Sequence, residues 1–391
     1  MPQLKKTLTL QPAVLRWARE RAGLEPDELA ARLKAQTRDI EEWERSGRIS
    51  FARAEALAKK TYTPVGFLYL DEPPIESLPI ADFRTRAGTT PPRPSPNLLD
   101  TVYLMQLRQA WMREELIGQK SAPLPFVGAF GLDAPPSEVA AAMNDALQLK
   151  GGWAAARGTW TDALRTFRDH IAAAGVLLFF NGVVGNNSHR KLQADEFQGF
   201  AMVDDYAPLI FINNADYKTA QMFTLAHELV HLFVSESGVS KLEALSPSDH
   251  VVEQACNSIA AEFLVPSRQL RQTWITARHS DDPFQHLARY FKVSTVVAAR
   301  RVLDANLISR KAFFEYYEEN KAKHWGGTQS TGSSRGGNFW NNQRWRVGTR
   351  FATAVSRAVM EGRLSYTEGY TLTGLRGDTF ANIPAKMGIA L

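Results

Sequence analysis

Apolar residues recur every three to four positions along most of the chain, and Pro, Gly and hydroxyl residues punctuate them, so the pattern predicts a mainly helical, multidomain protein. Pro12 opens a helix that runs through Ala22, with Val14, Leu15, Trp17 and Ala18 available for packing, and Gly23 stops it. Pro26 starts a second helix, through Leu33. After the short turn Lys34-Ala-Gln36, Thr37 caps a third helix to Arg45; Ser50 caps a fourth through Ala58, and Pro64 opens a fifth. Five short helices with a tight second-to-third turn make residues 1–72 a helix-turn-helix head.

The composition changes after Asp71. Residues 73–97 are rich in proline and read as an extended connector. A body follows over 98–310. It starts with a helix at 98–120, whose packing stripe is Leu99, Val102, Leu104, Leu107 and Trp111, and a second helix spans Ser137 to Leu149. Thr161 to Ala174 is helical, Gly175 breaks it, and Val176–Phe180 is an apolar strand. Phe197–Val203 and Pro208–Ile212 are two further strand-like runs, either a plain core hairpin or an edge that pairs with an extended peptide. The body is therefore α+β. Residues 311–337 are a Gly/Ser-rich linker, and 338–391 return to helical spacing as a small C-terminal module. Phe351, Val355, Ala358 and Val359 share one helix there, and Ser365-Tyr-Thr-Glu368 is a capping box for another.

At 391 residues a single core is not expected, and 44% apolar residues is ordinary for globular protein. No apolar run approaches the length of a membrane span, and Met-Pro-Gln-Leu-Lys-Lys has no signal core, so a cytoplasmic protein is expected. The single cysteine, Cys256, excludes an internal disulfide and sits on an apolar helix stripe as a small core residue. A net charge of +5 permits a polyanionic partner without demanding one.

The candidate chemistry lies in Gln221-Met-Phe-Thr-Leu-Ala-His227-Glu228-Leu-Val-His231-Leu-Phe233. Four residues separate the two histidines, so a helix projects both imidazoles from one side about one turn apart, where they can share a Zn²⁺ ion. Met222, Leu225, Leu229 and Leu232 form the packing face, and Thr224, His227, Glu228 and His231 form a polar one. Glu228 stands beside the histidines as a proton acceptor. Val234 and Ser237 occupy the positions where the extended H-E-x-x-H-x-x-G-x-x-H form needs Gly and His, so the third ligand comes from elsewhere. Ser246-Pro-Ser-Asp249 starts a second helix ending at Pro266, on which Glu253 and Asn257 lie on a polar flank. Glu262, nine residues on, is about half a rotation away and reads as a solvated position. Glu253 is the chosen ligand, with His250 a weaker rival.

Phe223-Thr-Leu-Ala-His-Glu-Leu-Val-His231, followed by Glu253-x-x-x-Asn257 and Ala260-Ala-Glu-Phe-Leu-Val-Pro266, resembles the ImmA/IrrE family of zinc metallopeptidases over roughly residues 160 to 310. The resemblance implies a zincin-like body with metal ligands His227, His231 and Glu253 and catalytic Glu228. It also implies cleavage or relief of repressors. Leu29-Ala-Ala-Arg-Leu33, Ile40-Glu-Glu-Trp-Glu-Arg-Ser-Gly47 and Ala54-Glu-Ala-Leu-Ala58 resemble the Xre (Cro/C1-type) class of DNA-binding domains. That docking mode places Gln36, Thr37, Arg38 and Glu42 near base edges. Asp39, Glu41, Glu42 and Glu44 make the third helix acidic, which cuts against DNA and leaves a protein partner as the alternative; Arg38, Arg45, Arg48 and Arg53 offset them in part. Pro79-Ile-Ala-Asp-Phe-Arg84 resembles a segment found between these two domain types in fusions of them.

The expectation is a DNA-binding regulator carrying a zinc peptidase that cleaves a regulatory protein in a stress, mobile-element or toxin-antitoxin setting. The alternative is a non-catalytic antitoxin or repressor whose zinc fold is a scaffold for a toxin. Candidate partners are a protein substrate, promoter DNA, a cognate toxin and a second copy of the chain, and no membrane. In the tail, Arg344, Arg346, Arg350 and Arg357 beside Trp340 and Trp345 form a basic face that is solvated or meets acid or nucleic acid.

Overall fold

The structure is a computed structural model that describes residues 7–82, 93–215, 218–240, 251–325 and 339–389. The expected helix start at 246–249, the rival ligand His250, Phe83 and Arg84 with the prolines through 92, and residues 326–337 of the expected linker lie outside these residues; the rest of that linker, 311–325, is corrected to helix. Two compact units are resolved, one of residues 1–79 and 92–102, the other of 80–91 and 103–391.

The first unit carries β1 (Thr7–Thr9), α1 (Pro12–Arg21), α2 (Pro26–Leu33), α3 (Thr37–Ser46), β2 (Arg48–Ser50) and α4 (Phe51–Thr61). Val14, Leu15, Leu29, Ile40, Leu57 and Leu68 are buried at its centre. Lys34 ends α2 in the left-handed region and gives the tight turn into α3. Three expectations need correction here. The cap of α3 is Gln36 rather than Thr37, because the Asp39 carboxylate accepts the Gln36 backbone N–H at 3.0 Å and fixes the first turn one residue earlier. The fifth helix is one 3₁₀ turn, Val65–Tyr69. The β1–β2 antiparallel pair, Leu8 opposite Ile49, was not foreseen, since three residues are too few for an alternation to stand out.

Next in the chain is α5 (Pro96–Gly118), whose buried stripe is Val102, Met105, Arg108, Met112 and Leu116. Leu107 is 46% exposed and does not belong to it. A fully apolar reading missed Arg108, which takes a core position.

The second unit holds a five-stranded sheet in the order β3 (Ala81–Asp82), β9 (Gly238–Ser240), β7 (Gly199–Met202), β8 (Leu209–Asn213) and β4 (Leu177–Asn181). β4 and β8 are parallel, as are β3 and β9, and the other pairs are antiparallel. β7 and β8 therefore have neighbours on both sides. Their backbone groups are spent within the sheet, so neither is the free edge that could take a peptide. A short antiparallel pair, β5 (Val183–Val184) and β6 (Asn187–Lys191), stands apart from it. α6 (Pro136–Ala146), α7 (Trp160–Ala173), α8 (Lys218–Phe233) and α9 (Val251–Leu264) share the core with the sheet; α9 packs on both α6 and α8. Trp153, Phe167 and Phe263 close this layer, with ring centroids 5.4–6.4 Å apart. α10 (Ser267–Ala277), α11 (Pro283–Phe291), α12 (Thr295–Asp304) and α13 (Arg310–Trp325) follow, then α14 (Phe339–Gln343), a π-helical turn at Arg344–Gly348, α15 (Thr349–Met360), α16 (Tyr366–Thr373), α17 (Gly377–Ala381) and α18 (Ile383–Met387).

The C-terminal residues pack on the body. Gly348, at φ +75°, lies against β4 so closely that a Cβ would sit 3.0 Å from the Leu178 carbonyl oxygen. Phe351 meets Trp111 and Phe179 edge-on at 5.6 and 5.9 Å. Buried Arg108 donates to the carbonyls of Leu372 (2.8 Å), Arg346 (2.9 Å) and Thr373 (3.4 Å) and lies over the Phe179 and Phe351 rings. The expected capping box is present: Ser365 Oγ accepts the Glu368 N–H and the Glu368 carboxylate accepts that of Ser365.

Candidate metal centre

α8 is buried on every described side chain from Gln221 to Phe233 except half-buried Phe223. Its apolar residues Met222, Leu225, Leu229 and Leu232 pack as the periodicity predicts. The polar residues are as enclosed as the apolar ones, so no face of this helix is open to water. His227, Glu228 and His231 have no exposed surface and Glu253 has 2%. Burial this complete is costly for ionisable groups unless they neutralise one another or hold a cation.

Two helices bring the donors together. The i, i+4 spacing on α8 sets the rings of His227 and His231 4.9 Å apart, with the two Nε2 atoms 3.1 Å from each other. From the first turn of α9, Glu253 places Oε2 3.2 Å from His227 Nε2 and Oε1 3.2 Å from His231 Nε2. Burial by itself would raise the Glu253 carboxyl, but the charges and hydrogen bonds of the two imidazoles outweigh it and hold the group well below the usual carboxylate range. Burial pushes His231 down, against the opposing pull of Glu253. Behind His227, Asn257 Oδ1 lies 3.1 Å from Nδ1. With Nδ1–H donating there, the Nε2 lone pair is left facing His231 and Glu253.

The residues fit a zinc ion. Two nitrogens and one carboxylate are a borderline-soft set, and a tetrahedron with bonds of about 2.0–2.1 Å has edges of roughly 3.3 Å, close to the three donor separations. Facing imidazole lone pairs repel unless a proton or cation lies between them. Among the described residues this is also the one cluster of three such side chains close enough to share an ion.

The other candidates sort differently. Glu262 is not solvated: it accepts from Arg301 Nη2 at 2.5 Å and from the Ser267 N–H and hydroxyl at 2.9 and 2.6 Å, which ties α9 to α10 and α12. Burial, with the Glu253, Glu228 and Glu236 carboxylates, raises the Cys256 thiol and keeps it a neutral core group. The role of Asn257 was missed, although it stands one helical turn beyond Glu253 and that spacing carried the signal. In the head, Gln36, Arg38 and Glu42 are exposed, Thr37 is half-buried, and Glu42 pairs with Arg45. Glu44 is removed from the acidic surface, because it is buried in a two-pronged pair with Arg19 at 2.6 and 3.0 Å. On the tail, Arg346 and Arg350 are partly sunk into the protein, which lowers both, and Trp345 packs on Phe180 at 5.8 Å. The expected basic face is thus divided: Arg346, Arg350 and Trp345 are half-buried, and Arg344 and Arg357 stay exposed.

Residues 172–303 match the family model of the IrrE N-terminal-like domain (Peptidase_M78), and residues 347–385 match a domain of unknown function (DUF8813). The first match covers about a third of the chain and contains all four site residues. No curated protein and no solved structure matches the chain.

Proposed function

We propose that the chain is a zinc-dependent metallopeptidase that cleaves a regulatory protein and is addressed to promoter DNA by its N-terminal unit. The observation that carries the reading is the convergence of His227, His231 and Glu253 beside Glu228, inside a segment that matches a metallopeptidase family model. A bound zinc ion, held by His227 Nε2, His231 Nε2 and a Glu253 oxygen, would supply a Lewis acid for the scissile carbonyl and for water. Asn257 holds the His227 ring in the tautomer that leaves Nε2 free. Glu228 takes a proton from the attacking water on its carboxylate and passes it to the leaving amine nitrogen.

The head reading places Gln36, Thr37, Arg38 and Glu42 at base edges, and loss of Glu44 from the surface supports it by reducing the acidity of α3. A cytoplasmic setting and a homodimer belong to the same proposal. No helix among the described residues is long and apolar enough to cross a membrane. A second reading is favoured by one observation, the complete burial of the four site residues: a scaffold whose metal is structural and whose partner is a toxin. The two part on Glu228→Gln. A peptidase keeps stoichiometric zinc and loses on the order of 10²-fold or more in cleavage. Mapping of new protein N-termini in cells carrying wild type or Glu228→Gln reads this directly; identical maps in both strains would overturn the enzyme reading and favour the scaffold.

A further inference from the structure

Gly199 opens β7, the strand between β8 and β9 that packs against α8. Nothing in its backbone requires glycine, since it lies in a regular ladder opposite Ile212 on one side and Ser240 on the other. Glycine in a paired strand gives no side chain to pack, so its presence points to something approaching closely. That neighbour is Glu228. A Cβ at position 199 would lie 2.9 Å from Glu228 Oε1, 3.0 Å from Glu228 Cγ and 3.1 Å from the Phe211 carbonyl oxygen. Contacts under 3.0 Å cannot be accommodated without movement, and the first to move is the side chain, because the carbonyl belongs to the ladder.

We infer that Gly199 is a positioning residue for Glu228: the missing side chain is the space in which the Glu228 carboxylate rests. This space sets where the carboxylate stands relative to the two histidines of the same helix. Any side chain at 199 displaces it by a fraction of an ångström to an ångström, a distance that costs on the order of 10²-fold when a catalytic group is misplaced. None of the three atoms nearest a Cβ at 199 belongs to His227, His231 or Glu253, so zinc content should be unchanged. The catalytic consequence rests on the peptidase reading, whereas the steric coupling of 199 to 228 does not.

The test is a double-mutant cycle on the full-length, zinc-loaded protein, with thermal unfolding and zinc content as readouts. Gly199→Ala should lower Tm by about 5 °C with Glu228 present, as expected for an overpacked methyl group, and by less than half of that in the Glu228→Ala background, where the space is open. Zinc content should stay at one per chain in all four proteins. Equal losses of Tm in the two backgrounds would overturn the inference and assign the glycine to the Phe211 carbonyl or to strand geometry. In cells, the protein fragments that depend on Glu228 should fall in Gly199→Ala, and fragments at wild-type abundance would also overturn it. If no Glu228-dependent fragments exist, the enzyme reading fails, and the Tm cycle still decides whether Gly199 sets the position of Glu228.

Discussion

His231 and Glu253 are sealed from water, and that makes the metal-free protein sensitive to acid. The depressed Glu253 carboxyl contributes stability above its ordinary value near 4.5, lost as the pH falls toward the folded value. Burial lowers His231, so below its ordinary value near 6.5 the unfolded chain takes a proton that the folded chain refuses, and stability again falls with pH. Between pH 7 and pH 4.5, where His231 is the group that matters, and further below 4.5, where Glu253 adds to it, the metal-free wild type should therefore lose more Tm than a His231→Gln, Glu253→Gln double variant. Parallel curves would refute the coupling. Asn257 makes a separate claim. Asn257→Ala frees the His227 ring and should weaken zinc binding roughly 10- to 100-fold in a chelator competition, while Glu262→Ala should leave the metal in place and lower stability through the lost Arg301 contact. Unchanged zinc affinity in Asn257→Ala would remove Asn257 from the site.

At the scale of elements, helices with local start and stop signals were legible, whereas strands of two or three residues and the polar-centred stripe of α5 were not. The Pro-opened, Gly-stopped helices of the head and the Ser365 box follow from local chemistry that needs no tertiary information. The stripe of α5 did not, because its central position is Arg108, a cation that the core tolerates only through three backbone carbonyls and two aromatic faces. Burial lowers this guanidinium to about 9. Strands β3 and β9 are two and three residues long, and pairing, not pattern, makes them strands. The metal helix was legible in register but not in burial, since both of its faces meet protein. Arg108 yields a prediction at this scale. Arg108→Met keeps the volume and removes the donors to Arg346, Leu372 and Thr373, so the buried carbonyls lose their partners at about 1–3 kcal/mol each. Hydrogen exchange should rise selectively over α15 and α16. Uniform exchange across the second unit would show that Arg108 is not their clasp.

At the scale of the whole molecule, the proposed reading puts cleavage and DNA binding on different compact units, so the two should fail independently. The four site residues belong to the second unit, and Gln36, Thr37, Arg38 and Glu42 belong to the first. The charge visible to a partner on α3 is reduced by pairing: Glu44 is buried against Arg19, Asp39 accepts the Gln36 N–H, and Glu42 is matched by Arg45, while Glu41 stays exposed. Arg38 is left exposed beside Gln36, near the start of a helix whose N-terminal end also favours anions. In full-length protein on a fragment of its own promoter, Arg38→Ala should relax preference at one base position by about 1–3 kcal/mol. Binding should weaken steeply as salt is raised from 50 to 200 mM. Glu228→Gln should bind the same fragment with unchanged affinity and salt slope, because a proton acceptor buried in the second unit contributes nothing to phosphate contacts. Loss of binding in Glu228→Gln at full zinc content would mean that the units are coupled. Absence of binding in the wild type, together with capture of a protein by the Gln36–Glu42 surface, would assign the head to protein recognition.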